Sequence, residues 1–439
     1  MSSTHLGLTH LNIANLRDLA RKGLPEFLDS VRGKKGLVLD PLLTGPLSLI
    51  TDFTLLKDHG VEKIYHLTGD RFETECKDII YVCRPKLKYM KYITEHIKAN
   101  DKIGYSIYFV PRRTMVCERV LEDEGVLGDI TIGDYAMDWI PFEDDLISME
   151  LDTGTWKELY LDGDLTSLYY AARSLMRLQS IYGLFPRIVG KGDCAKVPFI
   201  LVIPLPRSPS TRLVNSNFPP SPKQQLADML LRMRREQAVV DDTSTSTSPP
   251  SFLNTLSSHI DQLVIIDRAA DLVTPLCTQL TYEGLIDEVI GIKHCELVGY
   301  TVVLAFVELD SSLVGPGPSA PSAGAAAAAA STAATPVPVV MPQKKKKQVL
   351  NSSDKLFVQL RDLNFAVVGG LLNKIAKKIN ENYEERHQAK TVAQIRDFVG
   401  KLTDLQQEHQ SLRIHTGIAE EIMRHTITED FNKMLEVQQ

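Results

Sequence analysis

The sequence predicts an α/β protein in three parts: a small open parallel-sheet domain at the N-terminus, a second α/β domain, and a third domain built around a helical hairpin. Three observations predict it. Short β-like runs alternate with helical ones from Gly36, the pattern of parallel βαβ units covered by helices. The alternation resumes beyond Gly128. After Asn351 the apolar period changes to three- and four-residue steps, which belong to long amphipathic helices. The boundaries these patterns set are 1–128, 129–275 and 276–439.

In the first domain the expected strands are GLVLD (36–40), KIYHL (63–67), DIIYVC (78–83) and KIGYSIYFV (102–110), with helical stretches at 47–59, 87–100 and 112–124. The second domain is expected to hold helices at 165–182 and 223–237, an apolar run at 197–204, and DQLVIID (261–267), a buried strand by composition. The stretch DDTSTSTSPPS (241–251) can bury almost nothing and reads as a mobile loop. Residues 311–348, rich in Pro, Ala and Gly and carrying KKKK at 344–347, read as a disordered insertion, because the flanking prolines oppose a poly-Ala helix. The four lysines read as a solvated charge block, although a run of this kind can also contact acidic lipid or act as a nuclear signal.

The helical arm is expected over 351–425. Phe365, Val368, Leu372, Ile375, Ile379 and Tyr383 form the apolar stripe of its first helix, and Val392, Ile395, Val399, Leu402 and Leu405 that of its second, joined by NENYEERHQAK (380–390). Gly369 and Gly370 interrupt the first helix and are expected to weaken or bend it, each costing about 1 kcal/mol relative to Ala.

Composition narrows the function. With 439 residues, 44% hydrophobic and 24% charged, the chain has the make-up of a soluble globular protein of two or three domains. A net charge of -6 supplies no basic field for nucleic acid. The six cysteines form no CxxC pair and no zinc-like cluster with histidine, so they read as reduced cytosolic thiols with no metal. The N-terminus lacks the apolar core of a signal peptide, and no segment reaches the roughly 18 apolar residues that span a bilayer, the run 298–307 included. Any membrane role is therefore expected to be peripheral.

A search for chemistry returns structural readings. No GxGxxG or GxxxxGK[ST] cradle follows a strand, and VGKGD (189–193) lacks the spacing that wraps backbone N–H groups around phosphate. Asp40, at a strand end, has the position of a phosphotransfer nucleophile, but Pro41 and Leu42 stand where a second magnesium-binding carboxylate would be wanted, which favours capping. The segment DRAAD (267–271) places Asp267 and Asp271 around Arg268 directly after a strand. An arginine between two carboxylates favours a permanently ionised structural network over acid/base catalysis. His409, His415 and His425 read as scattered surface histidines. No catalytic residue, metal or cofactor is expected, and the competing reading is a nucleotide-dependent or phosphotransfer enzyme using Asp40 or Asp267.

IDQLVIIDRAADLVTPLCTQLTYEGLIDEVIGI (260–292) resembles the signature of the Sec-Munc (SM) family of SNARE regulators: a strand, DRxxDxxTP, then an LTYEGLIDE-type helix start. KKGLVLDPLLTGPLSLITDFTLLKDHGVEKIYHL resembles the family's first strand, helix and second strand, and the segment from SDKLFVQLRDLNF through EEIM is similar to the helical arm of its vacuolar-sorting branch. The resemblance implies an arch of three domains without enzymatic activity. It makes Asp267, Arg268, Asp271 and Pro275 architectural. It further implies a subunit of the HOPS and CORVET tethering complexes that binds a class C vacuolar-sorting subunit. On its arm it templates SNARE assembly for vesicle docking and membrane fusion, in the cytoplasm at vacuolar, lysosomal and late endosomal membranes. Family members continue beyond the position of Gln439, so a chain shorter than the family's is expected, with the main contact to the class C partner in the part beyond.

On that arm the apolar stripe of the first helix is expected to face the core. The partner helix is then expected on a shoulder formed by Lys374, Lys377, Lys378, Asn382 and Arg386, opposite Gln394, Asp397, Phe398 and Lys401, with Phe398 as anchor.

Overall fold

The computed structural model describes residues 11–70, 74–100, 102–151, 154–192, 201–202, 226–243, 255–298, 348–388 and 392–438. The chain divides into two compact units, Met1–Thr278 and Gln279–Gln439.

Unit 1 begins with α1 (Ala14–Leu28), β1 (Lys35–Leu39), α2 (Pro41–Ile50), α3 (Phe53–Asp58), β2 (Val61–His66), β3 (Asp78–Cys83), α4 (Leu87–Ala99), β4 (Gly104–Phe109), α5 (Met115–Asp123) and β5 (Ile130–Asp134). The five strands form one parallel sheet in the order β2-β1-β3-β4-β5. Strands covered on both faces are predominantly apolar, and every residue of β1 is buried. Alternate residues then serve opposite layers. Leu37, Leu39, Ile80 and Val82 meet Leu24, Phe27 and Leu28 of α1 and Leu43 and Leu47 of α2. Val38, Ile79, Tyr81, Ile107 and Phe109 meet Met90, Ile93 and Ile97 of α4 and Cys117 and Leu121 of α5.

Several expectations change here. The fifth strand carries the sheet past Gly128. The stretch 47–59 is two helices, because Asp52 accepts the Leu55 N–H at 3.0 Å and starts α3 afresh. Helix α1 was not expected, since Pro25 obscures the three- and four-residue spacing of Leu16, Ala20, Leu24, Phe27 and Leu28. Its last carbonyl, that of Leu28, accepts from the buried Lys35 ammonium at 2.5 Å, and the same ammonium donates to Val31 in the following turn at 2.5 Å.

The rest of unit 1 contains β6 (Ile140–Pro141) paired with β7 (Ile147–Ser148), α6 (Thr155–Lys157) running into a π-helical turn (Glu158–Asp162), α7 (Thr166–Tyr182), β8 (Arg187–Lys191), β9 (Leu201–Val202), α8 (Leu226–Thr243) and β10 (Leu263–Ile266). β8 lies between β10, parallel to it, and β9, antiparallel. Helices α7 and α8 share a core with Ile188 and Ile265. The strand in DQLVIID is half open, with Ile265 buried but Val264 50% and Ile266 66% exposed: composition marks a strand as apolar, while coverage depends on what packs over it. The expected loop at 241–251 begins with residues that belong to α8, and 244–251 lie outside the described residues, as do 311–347.

Unit 2 comprises α9 (Tyr282–Val289), the two-stranded β11 (Ile292–Lys293) and β12 (Glu296–Leu297), α10 (Lys355–Leu360), α11 (Phe365–Gln388), α12 (Val392–Thr426) and α13 (Glu429–Gln438). The segments on either side of 299–347 are tied together: Tyr282 N–H donates to Leu363 at 2.8 Å, Phe365 N–H to Leu280 at 2.9 Å and Leu350 N–H to Cys295 at 2.7 Å. The core joins Tyr282, Leu285 and Ile286 of α9, Phe357 and Leu360 of α10, Val368 and Leu372 of α11, Ile414, Ile418 and Ile422 of α12, and Phe431 of α13. Most of the expected connection 380–390 is helical, because α11 continues to Gln388. α11 runs through Gly369 and Gly370, and the residues flanking them supply its buried contacts.

Candidate functional site

The arm consists of α11 and α12, packed on one another along buried Val368, Leu372 and Ile379 of the first and Leu405, Ile414, Ile418 and Ile422 of the second. Phe365 and Ile375 complete the α11 stripe at half burial. The described part of that stripe faces inward, and Lys374, Lys377 and Lys378 lie off it. All three are exposed. Asn382 and Arg386 lie further along the same helix and Gln394, Asp397, Phe398 and Lys401 in the first turns of α12; the side chains of these six fall outside the described residues. Among the described residues the outer face of α11 thus carries a cationic row.

In the DRAAD segment both carboxylates cap turns, and Arg268 adds the smallest of the electrostatic contributions that hold Asp271 ionised. Asp267 is buried, accepts the Ala269 N–H at 2.9 Å at the start of a 3-10 turn (Arg268–Ala270), and accepts from the Tyr160 hydroxyl in the π-helical turn. Asp271 accepts the N–H groups of Val273 and Thr274 at 3.1 Å each, leading into a second 3-10 turn (Thr274–Leu276) that holds Pro275. Side-chain and backbone hydrogen bonds from Thr274 hold the Asp271 carboxyl below its ordinary range. Exposed Arg268 donates to the Asp271 backbone carbonyl at 2.9 Å. In a tight turn a short carboxylate meets the next N–H groups first.

Asp40 occupies the place where open α/β sheets bind ligands, the C-terminal end of β1 beside β3, where the chain order reverses. Here the protein's own groups fill it. The buried carboxylate accepts the Leu42 N–H at 3.0 Å, the Arg84 N–H at 3.3 Å and the Tyr89 hydroxyl at 2.8 Å. Arg84 in turn donates to the carbonyls of Met149 and Glu150. Burial and the adjacent Asp40 push the Cys83 thiol well up, which disfavours a reactive thiolate. Among the described residues no group of three His, Cys, Asp or Glu side chains is placed to share a metal ion.

Sequence reasoning missed one constellation. His415, expected at the surface, is fully buried in unit 2. Its Nδ1 lies 2.9 Å from the Tyr282 hydroxyl and its Nε2 3.2 Å from Asp354 Oδ2, and its ring stacks on Phe357 at 6.0 Å. Asp354 also caps α10, accepting the Leu356 and Phe357 N–H groups at 2.9 and 3.2 Å, and receives Ser411 Oγ on both oxygens at 2.8 Å. Burial pushes the Asp354 carboxyl up, but hydrogen bonds from His415, Ser411 and the Phe357 N–H outweigh it and hold the group at about 2. The available signal was the position of His415 one residue from Ile414, in phase with Ile418 and Ile422.

A profile of the Sec1 family matches residues 35–439. Vacuolar protein sorting-associated protein 33A of Rattus norvegicus is 39% identical over 443 residues, covering 100% of this chain and 63% of the relative. The Vacuolar protein-sorting-associated protein 33 homolog of Arabidopsis thaliana is 33% identical, covering 98% of this chain and 60% of the relative. The chain therefore spans somewhat under two thirds of these relatives' lengths. Among solved structures, the SM protein Vps45 in complex with the Qa SNARE Tlg2 shares the fold at a TM-score of 0.55 and 15% identity, covering 96% of this chain and 64% of that one. The Unc18–syntaxin 1 complex from Monosiga brevicollis does so at 0.53 and 15%, covering 94% and 63%.

Proposed function

The chain belongs to the Sec1 family, and we propose that it binds SNARE helices on the α11–α12 arm and assists their assembly for vesicle docking and membrane fusion in endosomal and vacuolar (lysosomal) traffic. The observation that carries this reading is the arm itself: a stripe that packs inward and, on the same helix, an outward row of Lys374, Lys377 and Lys378. The names of the vacuolar-sorting relatives and the SNARE partners in the Vps45 and Unc18 structures support it. Asn382, Arg386, Gln394, Asp397, Phe398 and Lys401 complete the proposed surface, with Phe398 as its apolar anchor.

Within this reading the protein performs no chemistry of its own. Asp40 and Asp267 spend their lone pairs on caps and tyrosine hydroxyls, an arrangement suited to holding a fold. It works as a subunit of the HOPS and CORVET tethers alongside a class C vacuolar-sorting subunit. It reaches late endosomal and vacuolar membranes through partners. Calorimetric titration of the folded chain with SNARE-motif peptides tests the proposal. Saturable binding that weakens with salt is expected, and its absence from a chain with intact circular dichroism would refute it.

A further inference from the structure

Helix α12 is a lever. Its C-terminal half is seated in the core through Ile414, Ile418 and Ile422, and from Ser411 back to its first residue, Val392, the axis runs about 28 Å at 1.5 Å per residue. A tilt of about 10° at the root therefore moves the far end sideways by about 5 Å, about half the 8–10 Å spacing of packed helices. A partner helix lying along the arm would meet its far end out of line by that amount. Apolar packing resists such a tilt weakly, because cores of the right volume keep stability while losing a unique arrangement.

The root of α12 carries directional bonds instead. Ser411 and His415, four residues apart on one face, both engage Asp354 at the start of α10, and His415 also engages Tyr282 at the start of α9. With Nε2–H donating to Asp354, Nδ1 accepts from the Tyr282 hydroxyl, so the imidazole is held from both edges while Phe357 covers its face. A fully connected buried network of this kind contributes more to a single arrangement than to net stability.

We propose that Tyr282, Asp354, Ser411 and His415 are positioning residues that hold α12 at one angle and thereby set the line along which the arm receives its partner helix. The docking line rests on the SNARE-binding reading above; the angle does not.

The test places spin-labelled unnatural residues at Gln394, near the start of α12, and at exposed Lys293 on β11, leaving the native cysteines in place, and measures their distance distribution in the free chain. H415L is expected to broaden it by about 5 Å. Far-UV circular dichroism should stay at the native level, and H415Q, whose amide keeps one donor and one acceptor, should restore a narrow distribution. Affinity for a SNARE-motif peptide should fall about tenfold if the competent orientation becomes ten times rarer. Distributions for H415L and Y282F as narrow as the parent's overturn the proposal. So does broadening that appears only together with loss of helical signal. Should H415L fail to fold, Y282F decides alone, because it removes one oxygen and leaves the ring stacked on Phe365 at 6.4 Å. A parent chain that binds no peptide while H415L still broadens sinks the SNARE reading and supports the positioning role.

Discussion

Replacing Asp354 by Asn removes the charge at the centre of unit 2 while keeping the side chain's size. The carboxyl is held at about 2 against an ordinary 3.8, and its side chain is 16% exposed, so solvent screens it little. At about 1.4 kcal/mol per pH unit, that depression corresponds to about 2 kcal/mol of folding stability. The sign follows from the direction: a depressed carboxyl stabilises fully above its unfolded value and loses the contribution as pH falls through its folded value. Asp354→Asn should therefore cost about 2 kcal/mol near neutral pH, and the gap to the parent should close as pH falls from about 4 to about 2. Urea unfolding followed by far-UV circular dichroism measures it, with tryptophan fluorescence as a control, since Trp139 and Trp156 both lie in unit 1. A penalty as large near pH 2 as at neutrality would refute the electrostatic argument and leave loss of shape or of a hydrogen bond as its source.

Gly192 sits at φ +101, and an added Cβ would lie 2.2 Å from the Cβ of Asp267, so Gly192→Ala should destabilise unit 1 by about 2 kcal/mol or more in tryptophan-monitored denaturation; a neutral result would mean that the turn relaxes freely. Gly370→Ala meets nothing within 4 Å and should stabilise α11 by about 1 kcal/mol in thermal melts; a drop in peptide affinity on the same variant would place the partner helix against that face. Phe398→Ala should weaken SNARE-peptide binding by more than about 1 kcal/mol with melting unchanged, whereas charge reversal at Lys377 and Lys378 should act chiefly on the salt dependence and association rate. Undiminished binding by Phe398→Ala would remove the proposed anchor.

Much of the architecture was legible in the residues because burial on both faces demands a predominantly apolar run, and β1, β3 and β4 each carry one despite buried Lys35 and Ser106. The arm helices were legible for a related reason: the stripe through Val368, Leu372 and Ile379 is a local pattern, read without knowing what covers it. Local chemistry also identified Asp40 as a cap, since its acceptors are needed within two residues. Where local signals conflicted with packing, the reading failed. Pro25 hid α1, and His294 and Cys295, at φ 51 and 60, turn the β11–β12 hairpin without the Asn-Gly pair that marks such turns. Only the tertiary structure decided what His415 meets. It joins Tyr282 and Asp354 across 133 and 61 residues of sequence, and its phase with Ile418 and Ile422 marks an inward face without naming either partner. Hydrophobic pattern is written along the chain, but the partners of a buried polar group are set by which elements meet, and that is a property of the fold.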